Sequence, residues 1–343
     1  MHAAMIWLKK HEYLNIRRIL IMKKSTWLII LSVLIILMLP VHSVCEGEQK
    51  VFLTDETDPF PADAELLTIR VAALQGGDSM LITLGEHSMF VDLGTNTSLP
   101  QIQEVIKAAG IDHVEYFFNS HPHVDHIGGF MPLVASGFPV GAMITFFDRG
   151  LIDDSVRQYQ AIQTAQEHNI QIIDMKSEDT VPFGNAEMTA YRIPDDRLSW
   201  VKGPNDRSAL LMVRYKACSI LLGADVESRS QFLLLEKYKD CFQADILKYP
   251  HHGADPIEIP FLEAVNPEFI VFTGTAHNTE AAQFVLRAWH ITRMSFAPWG
   301  ITTLQTDGHK WIVSQDLDPR CINQAKTYLK NHPWLTVPFS LPQ

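Results

Sequence analysis

The chain has little cysteine and little positive charge. Four cysteines, Cys45, Cys218, Cys241 and Cys321, occur in 343 residues, and no two form a C-x-x-C pair, the spacing of thiolate metal knuckles and dithiol redox sites. An oxidising compartment would permit disulfides among them, but spacing selects no pairing, and Cys218, inside an apolar strand, reads as a buried thiol. Lys and Arg number 28 against 39 Asp and Glu, a net charge of −11. That sign is a poor footprint for wrapping a nucleic-acid backbone, which wants a basic stripe. No repeat at solenoid spacing, low-complexity tract or sustained heptad run is present. What is there is ordinary for a globular protein: 47% hydrophobic and 20% charged residues, enough for one large domain with a sizeable core.

Long apolar runs are equally scarce, and the one near the N-terminus carries information about location. Met22-Lys23-Lys24 precedes the apolar stretch Trp27–Leu39, which Pro40 ends. A basic start and a short apolar core read as a secretory signal peptide, and the stretch is shorter than the roughly 20 residues a spanning helix prefers. If translation starts at Met1 rather than Met22, Lys9, Lys10, Arg17 and Arg18 add inner-side charge and favour an uncleaved anchor. Either way the expectation is an extracytoplasmic protein, secreted or anchored, touching membrane only through a leader at residues 1–44. His42 and Val44 spoil a lipoprotein box before Cys45. Residues 45–64, polar, acidic and proline-bearing, read as a linker. The leader holds six basic residues and one acidic residue, Glu12, so the remainder carries 22 basic and 38 acidic residues, a net of −16.

Beyond the linker, strand and helix patterns alternate. Strands are expected at 66–73, 80–84, 88–93, 114–118, 142–147, 170–173, 187–193, 210–222 (a pair), 244–247, 269–273 and 301–313 (a pair). Helices are expected at 99–109, with Pro100 in the first turn, and at 127–135, 153–167 (capped by Asp153 or Asp154), 228–237, 260–265 and 280–289. Two mixed β-sheets with helices outside would bury these runs.

The densest chemistry is His121-Pro122-His123-Val124-Asp125-His126, followed by Ile127-Gly128-Gly129. In an extended or tight-loop segment, residues two apart point the same way, so His121 and His123 can grip one ion. The turn into the next helix swings Asp125 and His126 towards a second. Imidazole and carboxylate suit Zn²⁺, and also Mn²⁺ or Fe²⁺; the plain alternative is a solvated His-rich loop. Two later segments fit a dinuclear site. Asp225 leaves the apolar run Ala209–Leu222 as either a helix cap or a carboxylate whose two oxygens each take one ion. The short strand before Tyr249-Pro250-His251-His252-Gly253 delivers two more imidazoles, one of which is expected to complete the second ion.

The order HPHVDH, then GAD, then PHHG resembles the metallo-β-lactamase superfamily, and within it the soluble hydrolase-like domain of the ComEC-type DNA-uptake competence proteins. Gln75-Gly76-Gly77-Asp78-Ser79, Phe90-Val91-Asp92-Leu93-Gly94 and Asn205-Asp206-Arg207-Ser208 agree with that branch. The resemblance runs from about Leu66 to Val313 and implies an α/β (α+β) four-layer αββα sandwich, placed at 65–318, with 319–343 as an extension beyond it. The histidine that the superfamily usually supplies between the first motif and the bridging Asp is missing from 192–208. The single His between His126 and Asp225 is His168, at the end of a helical run. The first ion is therefore expected to lack one protein ligand.

The resemblance implies two divalent ions, Zn²⁺ first and Mn²⁺ second, that acidify a shared water for attack on a phosphorus or carbonyl centre. The expected metal ligands are His121, His123, Asp125, His126, Asp225 and His251 or His252, with Asp92 orienting a ligand imidazole from behind. His277 is similar in position to a substrate-side histidine of the competence branch and is the candidate general acid; Lys248, Arg207 and Asn205 are candidate anion contacts or plain surface. The reading is an exported metal-dependent hydrolase, a phosphodiesterase, acting on a small or flexible phosphodiester rather than duplex nucleic acid. The alternatives are a metal-stabilised anchored binding protein with little turnover, or a lactone or ester hydrolase of the same fold.

Overall fold

Period-two burial shows why the strands form. Along Gly300–Thr306 every second residue is buried, and Trp311–Leu317 begins the same way, the signature of a sheet with one face on the core. Central strands such as Leu210–Tyr215 are buried on both faces because helices cover the side away from the partner sheet. The structure is a computed structural model and describes residues 48–146 and 155–342. The expected leader, Cys45 and the Asp153 or Asp154 cap lie outside those residues.

The first sheet runs in the order β1 (Val51–Leu53), β16 (Trp311–Leu317), β15 (Gly300–Thr306), β2 (Leu67–Val71), β3 (Ser79–Leu84), β4 (His87–Leu93), β5 (Val114–Phe118), β6 (Val140–Thr145) and β7 (Gln171–Asp174). The second runs β14 (Met294–Phe296), β13 (Phe269–Phe272), β12 (Ile246–Lys248), β11 (Cys218–Leu222), β10 (Leu210–Tyr215), β9 (Ala186–Tyr191) and β8 (Thr180–Phe183). Both are mixed: β4 to β7 pair in parallel, as do β11 to β14, while β2/β3, β3/β4, β9/β10 and β10/β11 are antiparallel. One apolar core, with Ile69, Ile82, Val91, Leu211, Ile220 and Val271, lies between the sheets. Helices α1 (Leu99–Ala109), α3 (Phe130–Ala135) and α4 (Ser155–Glu167) pack on the outer face of the first sheet through Ile102, Phe130 and Ala161. Helices α5 (Ser228–Tyr238), α6 (Ile259–Val265) and α7 (Glu280–Ala288) pack on the second through Leu234, Phe261 and Leu286. The αββα layering expected from the sequence is the observed one.

Three boundaries differ. The expected linker at 45–64 contains β1, which pairs in parallel with β16 and buries Val51 and Leu53; the Glu268 carboxylate accepts from the Lys50 and Val51 amides. A three-residue strand is too short to show a period. The expected C-terminal extension belongs to the domain. Helix α8 (Ile322–Asn331) buries Ala325 and Tyr328, and Trp334, Leu335, Val337 and Phe339 pack on the second sheet's outer core. The expected helix 127–135 is split into α2 (Val124–Ile127) and α3 by Gly128-Gly129. Among the described cysteines all three thiols are free, and burial pushes that of Cys218 up to about 11.

Candidate metal centre

The parallel strands deliver the site. β4, β5, β11, β12 and β13 end at Asp92-Leu93, the 119–123 loop, Asp225, Pro250–Gly253 and Thr273, and their side chains meet at one edge of the sandwich. Two glycines set the approach. A Cβ on Gly129 would lie 2.0 Å from the Leu93 carbonyl, so glycine lets the loop after the first motif press onto the end of β4. Gly77 holds φ +97° with its would-be Cβ 2.5 Å from the Asp125 carbonyl, and the next amide, of Asp78, donates to that same carbonyl at 3.0 Å. Non-glycine residues here also take the left-handed region: Asp92 at φ 54°, Ala224 at 44°, His251 at 49° and His252 at 55°. Each such residue costs about 1–3 kcal/mol, a concentration of strain expected where side chains must be aimed.

Two donor groups result. In the first, His121 Nε2 is 3.0 Å from His123 Nδ1 and 3.7 Å from Asp225 Oδ2. In the second, His126, His252 and Asp225 offer donor atoms that, with those of Asp78, lie within 4.8 Å of one another, and Asp125 Oδ2 stands against His252 as a fourth outward donor. His126 Nε2 is 3.1 Å from Asp225 Oδ2 and 3.3 Å from His252 Nε2, and His252 Nε2 is 3.3 Å from both Asp225 Oδ2 and Asp125 Oδ2. Asp225 belongs to both groups, but through one oxygen: Oδ2 faces all three imidazoles, while Oδ1 is buried without a hydrogen bond. On the Oδ1 side, which the sequence reading gave to the other ion, Lys248 Nζ stands 3.8 Å away.

The imidazoles are aimed from behind. His126 Nδ1 is 2.7 Å from Asp92 Oδ2, and Asp92 also accepts from the Ser120 amide at 2.9 Å and the Ser120 hydroxyl at 2.6 Å. His252 Nδ1 lies 3.0 Å from Asp78 Oδ1 and 2.9 Å from Thr273 Oγ1. Asp78 and Lys248, both fully buried, form an ion pair. Sequence reasoning gave Asp78 no role and offered Lys248 as an anion contact; burial against Asp78 removes Lys248 from any substrate surface.

Electrostatics follow this layout. Burial would lower the His126 imidazole, but Asp225 and Asp92 raise it to about 10. Burial likewise opposes charge on His252, yet Asp225 and Asp78 hold it well above its usual range. His121 moves the other way, lowered by burial and then by His126. Against burial, His126 and His252 hold Asp225 well below the usual carboxylate range; His252 and His126 do the same for Asp125, and Lys248 and His252 for Asp78.

The residues fit divalent metal. Two imidazoles that both favour a proton face each other at 3.3 Å across a buried carboxylate, an arrangement a cation relieves. Four ligands about 2.0–2.1 Å from a tetrahedral ion lie roughly 3.3 Å from one another, the spacing found among His126, His252 and Asp225 and between His252 and Asp125. The first group offers three donors, in keeping with the missing histidine.

His251 and His277 lie outside both groups. His251 Nδ1 pairs with Asp255 at 2.9 Å and its Nε2 is 3.3 Å from Asn205 Nδ2, so His252 is the imidazole that β12 delivers to the cluster. His277, the expected general acid, is exposed, with Nδ1 3.1 Å from Glu280 Oε1 and its ring edge-on to Tyr328; the start of α7 turns it to solvent. Asn205 is bound to Glu227 and Arg207 to the Leu198 carbonyl. His168 lies in the turn just after α4, exposed.

The sequence profile of the metallo-beta-lactamase superfamily matches residues 73–272. The competence protein ComA of Neisseria gonorrhoeae is 26% identical over 263 residues, covering 75% of this chain and 33% of that protein, so the chain spans about a third of that relative's length. Solved structures with a similar fold include the metallo-beta-lactamase fold protein YhfI from Bacillus subtilis, 12% identical, TM-score 0.45, covering 70% of this chain and 100% of that one. A Cronobacter sakazakii metallo-beta-lactamase is 18% identical, TM-score 0.36, covering 52% and 73%. With the profile spanning more than half its length and the motif residues gathered at the sheet edge, the chain belongs to the metallo-beta-lactamase superfamily.

Proposed function

We propose that this protein is a metal-dependent phosphodiesterase acting on a small or flexible phosphodiester. The observation that carries the reading is the shared Asp225 Oδ2, which joins a three-donor group to a four-donor group as a dinuclear hydrolase requires. His121, His123 and Asp225 would hold one ion; Asp125, His126, Asp225 and His252 the other, with Zn²⁺ the first choice and Mn²⁺ the second for this imidazole–carboxylate set. Such ions, when bound, acidify water and neutralise charge on a phosphoryl oxygen. The chain's own contribution is orientation: Asp92 and Asp78 fix the two imidazole rings, and Gly77 and Gly129 bring their loops close enough to do so.

Beside His121 opens a recess lined by Ser120, Thr145, Phe146, Arg192 and Arg207. The guanidinium groups of Arg192 and Arg207 are engaged with the Arg207 and Leu198 carbonyls, and their positive charge beside the first donor group favours an anionic substrate over a neutral lactone. The reading extends to export through the N-terminal segment. Among the described residues no helix is long and apolar enough to cross a membrane.

The test is metal reconstitution of the full chain followed by assay on bis-para-nitrophenyl phosphate, a short oligonucleotide, a lactone and a β-lactam. Turnover of the phosphodiesters, lost on chelation and restored by Zn²⁺ or Mn²⁺, is expected. Metal uptake with no turnover on any substrate would replace the hydrolase by a metal-stabilised binding protein. Comparing processing of the N-terminal segment by signal peptidase with its retention in membranes tests the location.

A further inference from the structure

Two of the best-buried charges near the site are Lys248 and Asp78; Asp78 lies within 4.8 Å of donor atoms of His126, Asp225 and His252, but its oxygens face Lys248 Nζ and the rear nitrogen of His252. Lys248 and Asp78 are both 0% exposed. The Lys248 ammonium pairs with Asp78 Oδ2, donates to the Ala224 carbonyl at 3.0 Å and stands 3.8 Å from Asp225 Oδ1. Asp78 Oδ1 in turn is 3.0 Å from His252 Nδ1. One ammonium therefore reaches the turn that carries Asp225 and, through a carboxylate, the ring of His252. Asp78 immediately precedes β3 in the first sheet, while Lys248 ends β12 in the second, so the pair also ties the two sheets together beneath the cluster.

An ion pair is an expensive way to fill such a place. Desolvating both charges costs more than well-packed apolar side chains of similar volume would, so a buried pair is weak evidence of stability. Its value lies in direction. Lys248 faces Oδ1 of Asp225 and leaves Oδ2 towards the imidazoles; Asp78 fixes the His252 ring with Nε2 towards Asp225 and Asp125. Ala224, held by Lys248 at its carbonyl, sits at φ 44°, a strained conformation that an outside tether helps to maintain.

We infer that Lys248 and Asp78 are a buried positioning pair for the metal centre, setting which oxygen of Asp225 and which nitrogen of His252 are presented to the second ion. The inference rests on the metal reading of the cluster and gives Asp78, whose oxygens face Lys248 and His252 Nδ1, a positioning role rather than that of a ligand. Removing both charges together loosens Asp225 and His252 without leaving a lone buried charge.

The test is the double variant Lys248→Met with Asp78→Leu in the full chain, beside the wild type and both single variants. The single variants each strand one buried charge and are expected to unfold or aggregate. The double variant is expected to fold, with a thermal midpoint in chelator close to that of stripped wild type. Its tighter Zn²⁺ dissociation constant, measured against a chromophoric chelator, should rise at least about 10-fold, and the visible spectrum of its Co²⁺ form should lose intensity. A double variant that folds and keeps wild-type affinity and spectrum overturns the positioning role. One that cannot fold makes the pair a folding element and overturns it equally. Wild type that takes up no metal would instead refute the metal reading, a separate failure.

Discussion

His126 and Asp225, 99 residues apart in sequence, meet with Nε2 3.1 Å from Oδ2, both side chains fully buried. The same Oδ2 lies 3.3 Å from His252 Nε2 and 3.7 Å from His121 Nε2, so one oxygen is the hinge between the donor groups. Asp225→Asn replaces that oxygen's charge with a neutral amide that binds cations poorly. The variant is expected to hold less than half the wild-type metal and to lose at least about 100-fold in phosphodiester hydrolysis, while far-ultraviolet circular dichroism stays unchanged. Full metal and full rate together would make Asp225 a turn residue and nothing more.

Adjacent histidines after β12 offer a sharper contrast. Both sit at positive φ, 49° and 55°, a region Asn tolerates well, so Asn in either place tests the imidazole rather than the backbone. His252→Asn should empty the four-donor group and abolish turnover. His251→Asn, which loses the Asp255 and Asn205 hydrogen bonds and a loose ring contact with His252, should keep its metal and most of its rate. Metal content by mass spectrometry after gel filtration distinguishes them, and reversal of the two phenotypes would reassign the ligand.

Much of this site is legible in the sequence because three short motifs carry it. His121, His123, Asp125, His126 and Asp225 could be picked out by ligand type and by the strands that deliver them. Asp78 and Lys248 could not: an Asp after two glycines reads as a turn, and a Lys at a strand end reads as surface until the second sheet closes over it. The choice of His252 over His251 depends on backbone dihedrals that no periodicity encodes. In the fold, β8 escapes because Pro182 breaks its pattern, which an edge strand tolerates; it pairs on one side, with β9. The α8 segment lies beyond the stretch that the family resemblance covers, and its Tyr328 docks against Trp299 and Phe296.

Protons should leave when metal binds. In the metal-free protein His126 is raised to about 10 by Asp225 and Asp92 against the pull of burial, and His252 is raised in the same direction. A raised histidine contributes stability that is fully present below its unfolded value of about 6.5 and is lost as pH climbs through its folded value. Stripped protein should therefore lose stability from about pH 7 towards 10. The depressed carboxylates of Asp78, Asp125 and Asp225 act at the other end, losing their contribution as pH falls below about 4. A ligating nitrogen must be deprotonated, so metal affinity should rise with pH across the neutral range. Calorimetric titration with Zn²⁺ in two buffers of different ionisation heat counts the protons, and identical heats in both would contradict the charged cluster.

Substrate size should follow from the charge of the whole chain. Outside the first 44 residues it carries a net of −16, which repels a long polyanion, whereas a short substrate meets mainly the local field of bound ions and the recess with Arg192 and Arg207. Cleavage of a short single-stranded oligonucleotide or of bis-para-nitrophenyl phosphate is therefore expected to exceed that of duplex DNA by at least about 10-fold per bond. Because repulsion is screened by salt, raising salt from low to physiological strength should help any slow duplex cleavage rather than hinder it. A protein that binds duplex through many cationic contacts does the opposite, weakening steeply as salt rises. Rates on the three substrates across a salt series decide between these behaviours, and fast duplex cleavage that collapses with salt would mean a basic groove overrides the net charge.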